Sequence, residues 1–398
     1  MVVAHRLRRI ASYAQGFGAR SGRGARGRGV LRGSLLALTL TLTLAACGGG
    51  STVQTPTPTP PLRPTFAAHT VYLGDDPVSA RGSLIALDAQ TGATRWSFQI
   101  GPTYTTPALG GGMVYTASQE GLVFALSTTT GKLAWQFQRA SAVDGYPTLA
   151  VGVVYVTSDD GTVNALDAAT GAPRWAYTMP NTSDHLYSRP AVAQGLVYFG
   201  AGGPDIGLFA LDAATGKLRW RTSLGGDAAN GDATVANGLV YIGAMDNNLY
   251  ALDATTGAIR WHYQTGGALP AGATVANGMA YVGSEDGYLY ALDATTGALK
   301  WKFKTQNAIS GYGTPTVADG MVYIGSDDQT LYALNAQTGQ PIWKFTADDF
   351  MRSSPVVIAG VAFFAAHGGS VYAVDAMSGA LRWHVALAGD VQASPAAS

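Results

Sequence analysis

Few side chains in this sequence have the type and spacing that chemistry requires. The single cysteine, Cys47, leaves the chain without an internal disulfide, a Cys-x-x-Cys-His haem site or a cysteine-based metal cluster. The histidines show no pair four residues apart, the spacing that places two metal ligands on one helix face. Asp159-Asp160 and Asp327-Asp328 offer oxygen ligands for Ca²⁺, but without the alternating ligands of a dedicated loop they are typical of hairpin turns. The motifs therefore predict no catalytic residue and no metal site.

Cys47 is suited by its position to one covalent modification. It follows an arginine-rich stretch and a short apolar run, and Leu44-Ala45-Ala46-Cys47 resembles the lipobox of bacterial lipoproteins. The resemblance implies that residues 1–46 are a signal peptide and that Cys47 carries the lipid anchor. Residues 47–65, rich in Gly, Ser and Thr-Pro, then form a tether, and residues 66–398 form the globular part. An ordinary signal peptide followed by a chance cysteine is the alternative.

The charge of the chain is unevenly distributed. Residues 1–46 hold eight of the 25 Lys and Arg and none of the 25 Asp and Glu, so the remainder has 17 basic and 25 acidic residues, a net charge of −8. An acidic protein with few Lys and Arg clusters is a poor ligand for phosphate backbones, so we expect no nucleic-acid binding.

A repeat of about 40 residues organises the globular part. All eight tryptophans fall in one register, with a glycine four residues before each and, in most repeats, an Asp eight residues before. Such a period predicts a propeller in which each blade packs on its neighbours. We expect each indole to fill the wedge between two blades and to donate its N–H to a backbone carbonyl next door. These structural residues are Trp96, Trp135, Trp175, Trp220, Trp261, Trp301, Trp343 and Trp383.

Each repeat divides into four strands, which predicts an all-β, eight-bladed β-propeller of antiparallel four-stranded blades. In the seventh repeat the expected strands are 313–317, 321–325, 331–334 and 340–345. The first repeat lacks an initial strand, whereas residues 390–398 match one and then stop. The C-terminal segment is therefore expected to complete the first blade and close the ring.

The residues that lead into the innermost strands are the least repetitive part of the pattern. Six of these strands carry a proline in register, and two carry Ala233 and Ala273 instead. Residues one and three positions earlier vary sharply and include aromatic, charged and amide side chains, which suit partner or ligand recognition at a channel rim. An ordinary solvated funnel is the alternative. The candidate rim residues are Tyr104, Asp144, Tyr146, Tyr187, Arg189, Asn230, Asp232, Tyr312, Arg352 and Gln392.

The motif A-x-D-x-x-T-G-x-x-x-W, clearest over residues 86–96, 165–175, 210–220, 251–261 and 291–301, resembles the repeat of pyrroloquinoline-quinone (PQQ) enzymes. Two branches share this repeat: the quinoprotein dehydrogenases, and non-enzymatic lipoproteins similar to the outer-membrane protein assembly factor BamB. If the resemblance extends to the enzyme branch, it implies a set of Ca²⁺-binding residues and a catalytic Asp on insertions between strands. Many enzymes of that branch also have a vicinal cysteine pair. This chain has no second cysteine, and its blades are short except for one extension at residues 181–187 and 202–207.

We therefore predict a non-enzymatic, membrane-anchored, monomeric scaffold without a cofactor. Its expected partners are envelope proteins, including the β-barrel assembly machinery, in envelope or outer-membrane protein assembly. The expected location is the periplasmic face of an outer membrane, or the outer face of the cell membrane in a single-membrane bacterium. One alternative is a PQQ-dependent dehydrogenase that uses PQQ with Ca²⁺, or a degenerate relative. Another is a cell-wall glycan-binding or sensor module.

Overall fold

The computed structural model describes residues 69–75, 82–139, 141–143, 145–181, 185–228, 231–311 and 313–398. These residues form eight antiparallel four-stranded sheets, and they contain no helix. Within the same residues there is accordingly no helical segment with the length and apolarity to span a membrane. The signal peptide, Cys47 and the tether predicted from the sequence lie outside the described residues.

The first four blades follow the chain in order, except that blade 1 takes one strand from the C-terminus. Blade 1 contains β1 (Thr70–Asp75), β2 (Ser83–Asp88), β3 (Thr94–Gln99) and the closing strand β32 (Ala396–Ala397); blade 2 contains β4 (Ala108–Gly110), β5 (Met113–Ala117), β6 (Leu122–Ser127) and β7 (Leu133–Gln138); blade 3 contains β8 (Thr148–Ala150), β9 (Val153–Ser158), β10 (Thr162–Asp167) and β11 (Pro173–Thr178); blade 4 contains β12 (Ala191–Ala193), β13 (Leu196–Ala201), β14 (Gly207–Asp212) and β15 (Leu218–Ser223).

The other four blades repeat the same order from the innermost to the outermost strand. Blade 5 contains β16 (Thr234–Ala236), β17 (Leu239–Gly243), β18 (Asn248–Asp253) and β19 (Ile259–Gln264); blade 6 contains β20 (Thr274–Ala276), β21 (Met279–Gly283), β22 (Tyr288–Asp293) and β23 (Leu299–Lys304); blade 7 contains β24 (Thr316–Ala318), β25 (Met321–Gly325), β26 (Thr330–Asn335) and β27 (Pro341–Thr346); blade 8 contains β28 (Val356–Ile358), β29 (Val361–Ala365), β30 (Ser370–Asp375) and β31 (Leu381–Ala386).

The C-terminal strand closes the ring, as the sequence predicts. Strand β32 pairs with β1 through Tyr72 opposite Ala396 and Val71 opposite Ala397. It also lies beside the innermost strands of blades 8 and 2, so the eight inner strands form an unbroken circle. The predicted eight-bladed, all-β propeller is confirmed.

The innermost strands are shorter than the sequence suggests. The seventh blade was expected to begin at Gly313, but its strand spans only Thr316–Ala318. Pro315 has no N–H to give to a ladder, and the N–H of Thr314 is donated sideways to Ser354 Oγ of the next blade at 2.8 Å. The approach to this inner strand therefore links neighbouring blades and does not extend the sheet.

The two middle strands of each blade are buried on both faces, as expected for stacked sheets. One aromatic residue of the second strand recurs in register in all eight blades and is at most 3% exposed. These residues are Tyr72, Tyr115, Tyr155, Tyr198, Tyr241, Tyr281, Tyr323 and Phe363. Each tyrosine also donates its hydroxyl to a backbone carbonyl in the following blade; for example, Tyr281 donates to Ala336 O at 3.1 Å.

The tryptophans lie at the outer part of each wedge, and six of the eight are half-buried. Every indole N–H donates to the next blade's carbonyl at 2.9–3.1 Å, with Trp383 reaching Ala89 across the closing junction. Each ring lies on the glycine of the neighbouring turn; a Cβ at Gly171 would be 2.6 Å from Trp135 Cε3. Those glycines also have positive φ, 73° at Gly171. Tryptophan and glycine therefore share one register because they meet across blade junctions.

Candidate binding site at the channel mouth

The propeller has two faces with different construction. The turn face holds the hairpins between the first and second strands and the D-x-x-T-G turns between the third and fourth. The connection face holds the hairpins between the second and third strands and the links that carry the chain to the next blade. All ten candidate rim residues fall in these links, and Asp144, Asn230 and Tyr312 among them lie outside the described residues.

The turn face is regular and well paired. In the turn after β10, Asp167 Oδ1 accepts the N–H groups of Ala169 and Thr170 and the Thr170 hydroxyl. Its other oxygen binds Arg174 Nη2 at 2.7 Å. The arginine contact lowers the Asp167 pKa to about 2. The same arrangement recurs at Asp253 with Arg260, so repeated residues here are explained by the turn itself.

Hydrogen bonds between blades connect the links around the channel mouth. In four blades the backbone N–H just before the inner-strand proline donates to a side-chain oxygen of the next blade. Thus Ser354 N donates to Ser394 Oγ at 2.7 Å, Ser394 N to Thr106 Oγ1 at 3.1 Å, and Arg189 N to Asp232 Oδ1 at 2.7 Å. This position carries a small hydroxyl residue in four of the eight blades, and Arg189 and Asp232 are its two charged members.

Tyr146, Arg189 and Asp232 form one group across blades 3, 4 and 5. The Arg189 guanidinium carbon lies 5.4 Å from the centre of the Tyr146 ring, within range of a cation–π contact. Burial raises the Asp232 pKa, and the Arg189 charge opposes that shift. Arg189 Nε is buried and has no hydrogen-bond partner. The group therefore combines an aromatic ring, an unused N–H donor and a carboxylate at the channel mouth.

Gly272 occupies the corresponding position in blade 6, next to this group. A Cβ at Gly272 would lie 2.9 Å from Asp232 Cβ and 3.3 Å from Thr314 Oγ1. A side chain at this position would therefore collide with Asp232, so glycine allows Asp232 to pack closely against the link to blade 6.

Arg352 and Tyr187 belong to two other groups on the same face. Arg352 donates from Nε and Nη2 to the Asp327 carboxylate at 2.9 and 3.1 Å, and Ser310 donates to the same carboxylate at 2.6 Å. The Tyr187 ring lies 5.0 Å from the His185 ring, centre to centre, and His185 Nε2 lies 3.3 Å from Asp227 Oδ2. Tyr104 and Gln392 are half-buried in the links to blades 2 and 1.

The extension in blade 4 builds up the connection face beside His185. Its two segments pair through a bridge between His185 and Gly202, with reciprocal backbone hydrogen bonds of 3.2 Å. Asp205 accepts from Asn181 Nδ2 at 2.5 Å and from Arg221 Nη1 at 2.9 Å. Blade 4 therefore presents a polar edge on the connection face that reaches its outermost strand, β15.

Acidic residues concentrate on the connection face. Its basic residues in the described part are Arg139, Arg189 and Arg352, and two of them are ion-paired, to Asp160 and Asp327. The fifteen acidic residues of this face in the described part are Asp75, Glu120, Asp159, Asp160, Asp205, Asp227, Asp232, Asp246, Glu285, Asp286, Asp327, Asp328, Asp348, Asp349 and Asp390.

Sequence reasoning missed a second irregular group, between blades 2 and 3. Asn164 stands where blades 5, 6 and 7 have a tyrosine that donates to an Asp four residues earlier, as Tyr290 does to Asp286 at 2.6 Å. In blade 3 the hydrogen-bond donor to the corresponding aspartate, Asp160, is not a tyrosine but Arg139, whose Nη2 lies 2.8 Å from the carboxylate. Arg139 Nε, Asn164 Nδ2 and Ser158 Oγ are left buried without a partner. The sequence does indicate this group in one way, because Asn164 stands where the aligned repeats of blades 5, 6 and 7 have a tyrosine.

The donor sets of the described residues do not fit a quinone site with its metal. These residues contain no group of three or more His, Cys, Asp or Glu that could hold a metal ion. All eight tryptophans are engaged on glycines at blade junctions, which leaves none of them to stack on a flat cofactor in the channel.

These features define an eight-bladed propeller of the PQQ-repeat class with an irregular, acidic connection face. A family model described as "Outer membrane protein assembly factor BamB" matches residues 80–207, 182–272 and 266–397. The chain belongs to this BamB family.

Solved structures with the same fold include members of both branches. BamB from Moraxella catarrhalis is 22% identical with a TM-score of 0.62, over 73% of this chain and 90% of that chain. The quinohemoprotein alcohol dehydrogenase ADHIIG from Pseudomonas putida HK5 is 19% identical with a TM-score of 0.65, over 73% and 67%. At these identities the likeness describes the fold and leaves the specific role open.

A curated relative has a different architecture. The serine/threonine-protein kinase AfsK of Streptomyces griseus is 29% identical over 184 residues, which are 44% of this chain. The match covers 17% of the kinase, so this chain corresponds to a small part of that protein.

Proposed function

We propose that this protein is a non-enzymatic, membrane-anchored scaffold whose connection face binds protein partners in envelope protein assembly. The observation that carries the proposal is the concentration of irregular residues on one face of an otherwise repetitive BamB-family propeller. Partner recognition needs residues that differ from blade to blade, and the Tyr146, Arg189 and Asp232 group provides them.

The point where the chain enters the propeller is consistent with this role. Strand β1 begins at Thr70 on the turn face, where Thr70 N donates to Ser398 O at 3.0 Å. A tether attached through Cys47 would therefore join the propeller on the turn face. The connection face would remain directed away from the attachment point and accessible to partners.

An affinity pull-down from solubilised membranes tests the proposal. We expect the wild-type chain to co-purify envelope proteins, the β-barrel assembly machinery among them in a cell with an outer membrane. The triple variant Tyr187→Ala, Arg189→Ala, Arg352→Ala should lose them. A turn-face triple variant, Gln90→Ala, Thr255→Ala, Gln337→Ala, is the matched control and should keep them. Equal recovery with both variants would overturn the assignment to the connection face.

A quinone-dependent dehydrogenase is the second candidate, because the fold also matches that of a quinohemoprotein alcohol dehydrogenase. Reconstitution with PQQ and Ca²⁺, followed by dye-linked oxidation of alcohols and sugars, separates the two functions. We expect no turnover, because the channel mouth provides no metal-ligand set among the described residues. Sustained turnover that requires both PQQ and Ca²⁺ would replace the scaffold proposal.

A further inference from the structure

The outer wall of the propeller is basic on one side. The eight outermost strands contain no Asp or Glu, and their basic residues are concentrated in blades 4 to 8. The residue after the tryptophan shows the asymmetry most clearly. It is Arg221, His262, Lys302, Lys344 and His384 in blades 4 to 8, but Ser97, Gln136 and Ala176 in blades 1 to 3.

Blade 6 is the centre of this basic wall. Lys300, Lys302 and Lys304 alternate along β23 and are all exposed. The Lys302 and Lys304 ammonium groups lie 4.4 and 4.6 Å from the centre of the Tyr288 ring, and Lys304 also donates to the Asp286 carbonyl. Lys300 makes an ion pair with Asp293 at 3.1 Å. These contacts hold three cations and an aromatic ring on one outward surface.

Blade 2 lies opposite blade 6 in a ring of eight, and its outer strand β7 carries no charge. Large apolar side chains accompany the lysines on the basic side: Leu299 is 41% exposed, Ile259 44% and Ile342 50%. Leu133 of blade 2 is equally exposed, so the charge and not the apolar side chains distinguishes the two sides. A surface with cations, a tyrosine and exposed aliphatic groups over several blades is suited to a broad anionic surface and not to a single small ligand.

We propose that this basic wall, centred on β23, lies against a lipid bilayer that contains anionic headgroups. Charge complementarity selects this occupant, because headgroups spread over a surface can meet side chains on several blades at once. The acidic connection face would be repelled by the same bilayer, so the propeller would rest on its edge with that face free. The inference deepens the proposed function, because it describes how an anchored scaffold would be oriented.

Vesicle sedimentation tests the orientation without the lipid anchor. The chain from residue 47 with Cys47→Ser is mixed with one of two kinds of vesicle. The first contains phosphatidylcholine with about 30% phosphatidylglycerol, as in a moderately anionic membrane, and the second contains phosphatidylcholine alone. We expect binding only to the anionic vesicles, and weaker binding as salt is raised. Lys300→Gln, Lys302→Gln, Lys304→Gln together should lower the partition coefficient by roughly 100-fold, about fivefold for each lysine.

The matched control removes the same charge from the other side of the ring. Arg95→Gln, Lys132→Gln, Arg174→Gln should change vesicle binding much less. Equal losses with both triple variants, or equal binding to both kinds of vesicle, would overturn the proposal. The proposal would also be overturned if the three lysines were needed to bind soluble polyphosphate while the chain bound to neither kind of vesicle. The pull-down reports on the connection face, so the failure of one proposal is distinguishable from the failure of the other.

Discussion

The two faces of the propeller are built by the same repeats, yet they differ in how completely their polar groups are paired. On the turn face one Asp satisfies two backbone N–H groups, a hydroxyl and often a basic side chain. On the connection face, Ser118 Oγ, Arg139 Nε, Ser158 Oγ, Asn164 Nδ2 and Arg189 Nε are buried without partners. An unpaired buried polar group lowers stability, so these five groups are the ones whose stability would gain most from a bound water or a partner.

The difference assigns separate tasks to the two faces. The turn face stabilises blade junctions and changes little from blade to blade. The connection face varies, carries most of the acidic residues and holds the groups we propose for binding. Substitutions on the turn face should therefore leave partner binding unchanged, whereas substitutions in the proposed binding groups of the connection face should weaken binding without lowering stability.

Deletion of residues 391–398 should have the largest effect on stability. It removes the closing strand β32 together with Val391 and Ala393, which are 2% and 0% exposed. The inner strands of blades 8 and 2 would lose the strand between them. We expect the melting temperature, measured by calorimetry, to fall by about 10 °C or more. Deletion of Ser398 alone, which keeps β32, is the control; an unchanged melting temperature in the longer deletion would contradict ring closure.

Gly171→Ala should have the next largest effect. Gly171 has a φ of 73°, and its new Cβ would lie 2.6 Å from Trp135 Cε3. Strain and the displaced indole should lower the free energy of unfolding by about 2–3 kcal/mol in urea denaturation. Gly152→Ala is matched, because its φ is 69° but nothing lies within 4 Å of its Cβ, so its loss should be about 1 kcal/mol. Equal losses would mean that the indole contact is unimportant.

Asp232→Asn should separate binding from stability. Burial raises the pKa of Asp232 in the folded protein above that of an ordinary carboxyl group. The ionised side chain therefore destabilises the fold at pH 7. This penalty disappears as the pH falls through the raised pKa towards the ordinary one. Asparagine keeps the acceptor for Arg189 N–H and removes the charge. We expect the free energy of unfolding at pH 7 to rise on the order of 1 kcal/mol, with the gain shrinking as the pH is lowered towards about 4.

The same variant should bind partners less well, because the carboxylate of the rim group is lost. Asp319→Asn on the turn face is the control, since Asn237 and Asn277 occupy the equivalent position with the same positive φ. It should change neither stability nor binding. Loss of stability in Asp232→Asn would show that the carboxylate is structural.

Phe363→Tyr should produce the smallest change, and it should be a gain. In the other blades the aligned tyrosine shares a carbonyl with the tryptophan N–H, whereas among the described residues Ala89 O accepts a hydrogen bond only from the Trp383 N–H. A new hydroxyl should raise the free energy of unfolding by about 0.5–1.5 kcal/mol. Tyr281→Phe, which removes the bond to Ala336 O, should lose a similar amount. A loss in both variants would mean that the closing junction differs from the others.

The parts of the fold that the sequence predicts are those that depend on repeated contacts. Trp135 packs on Gly171 of the next blade, and the same tryptophan–glycine contact occurs at the other blade junctions. Because both residues repeat at a fixed spacing, the sequence alone reveals the pattern. The closing strand was predictable because residues 390–398 match an inner-strand segment. The start of the seventh inner strand was not, because Thr314 bonds sideways to Ser354 in another blade.

The candidate site was predictable only in part. Register places Tyr146, Arg189 and Asp232 in consecutive links, so their residue types could be noticed as irregular. Their association depends on contacts across three blades, which no local pattern contains. The blade 2–3 group was harder still, because Arg139 takes over a role that tyrosine has in other blades and comes from a different repeat position.

Site-specific photo-crosslinking in cells tests most directly whether partners meet the connection face. A photoreactive phenylalanine analogue would replace Tyr104, Tyr187 or Gln392 on the connection face, and Gln90, Thr255 or Gln337 on the turn face. Both sets keep the blade core intact. The account predicts crosslinks to envelope proteins from the connection-face positions and none from the turn-face positions. Crosslinks from the turn face alone, or equally from both faces, would contradict it.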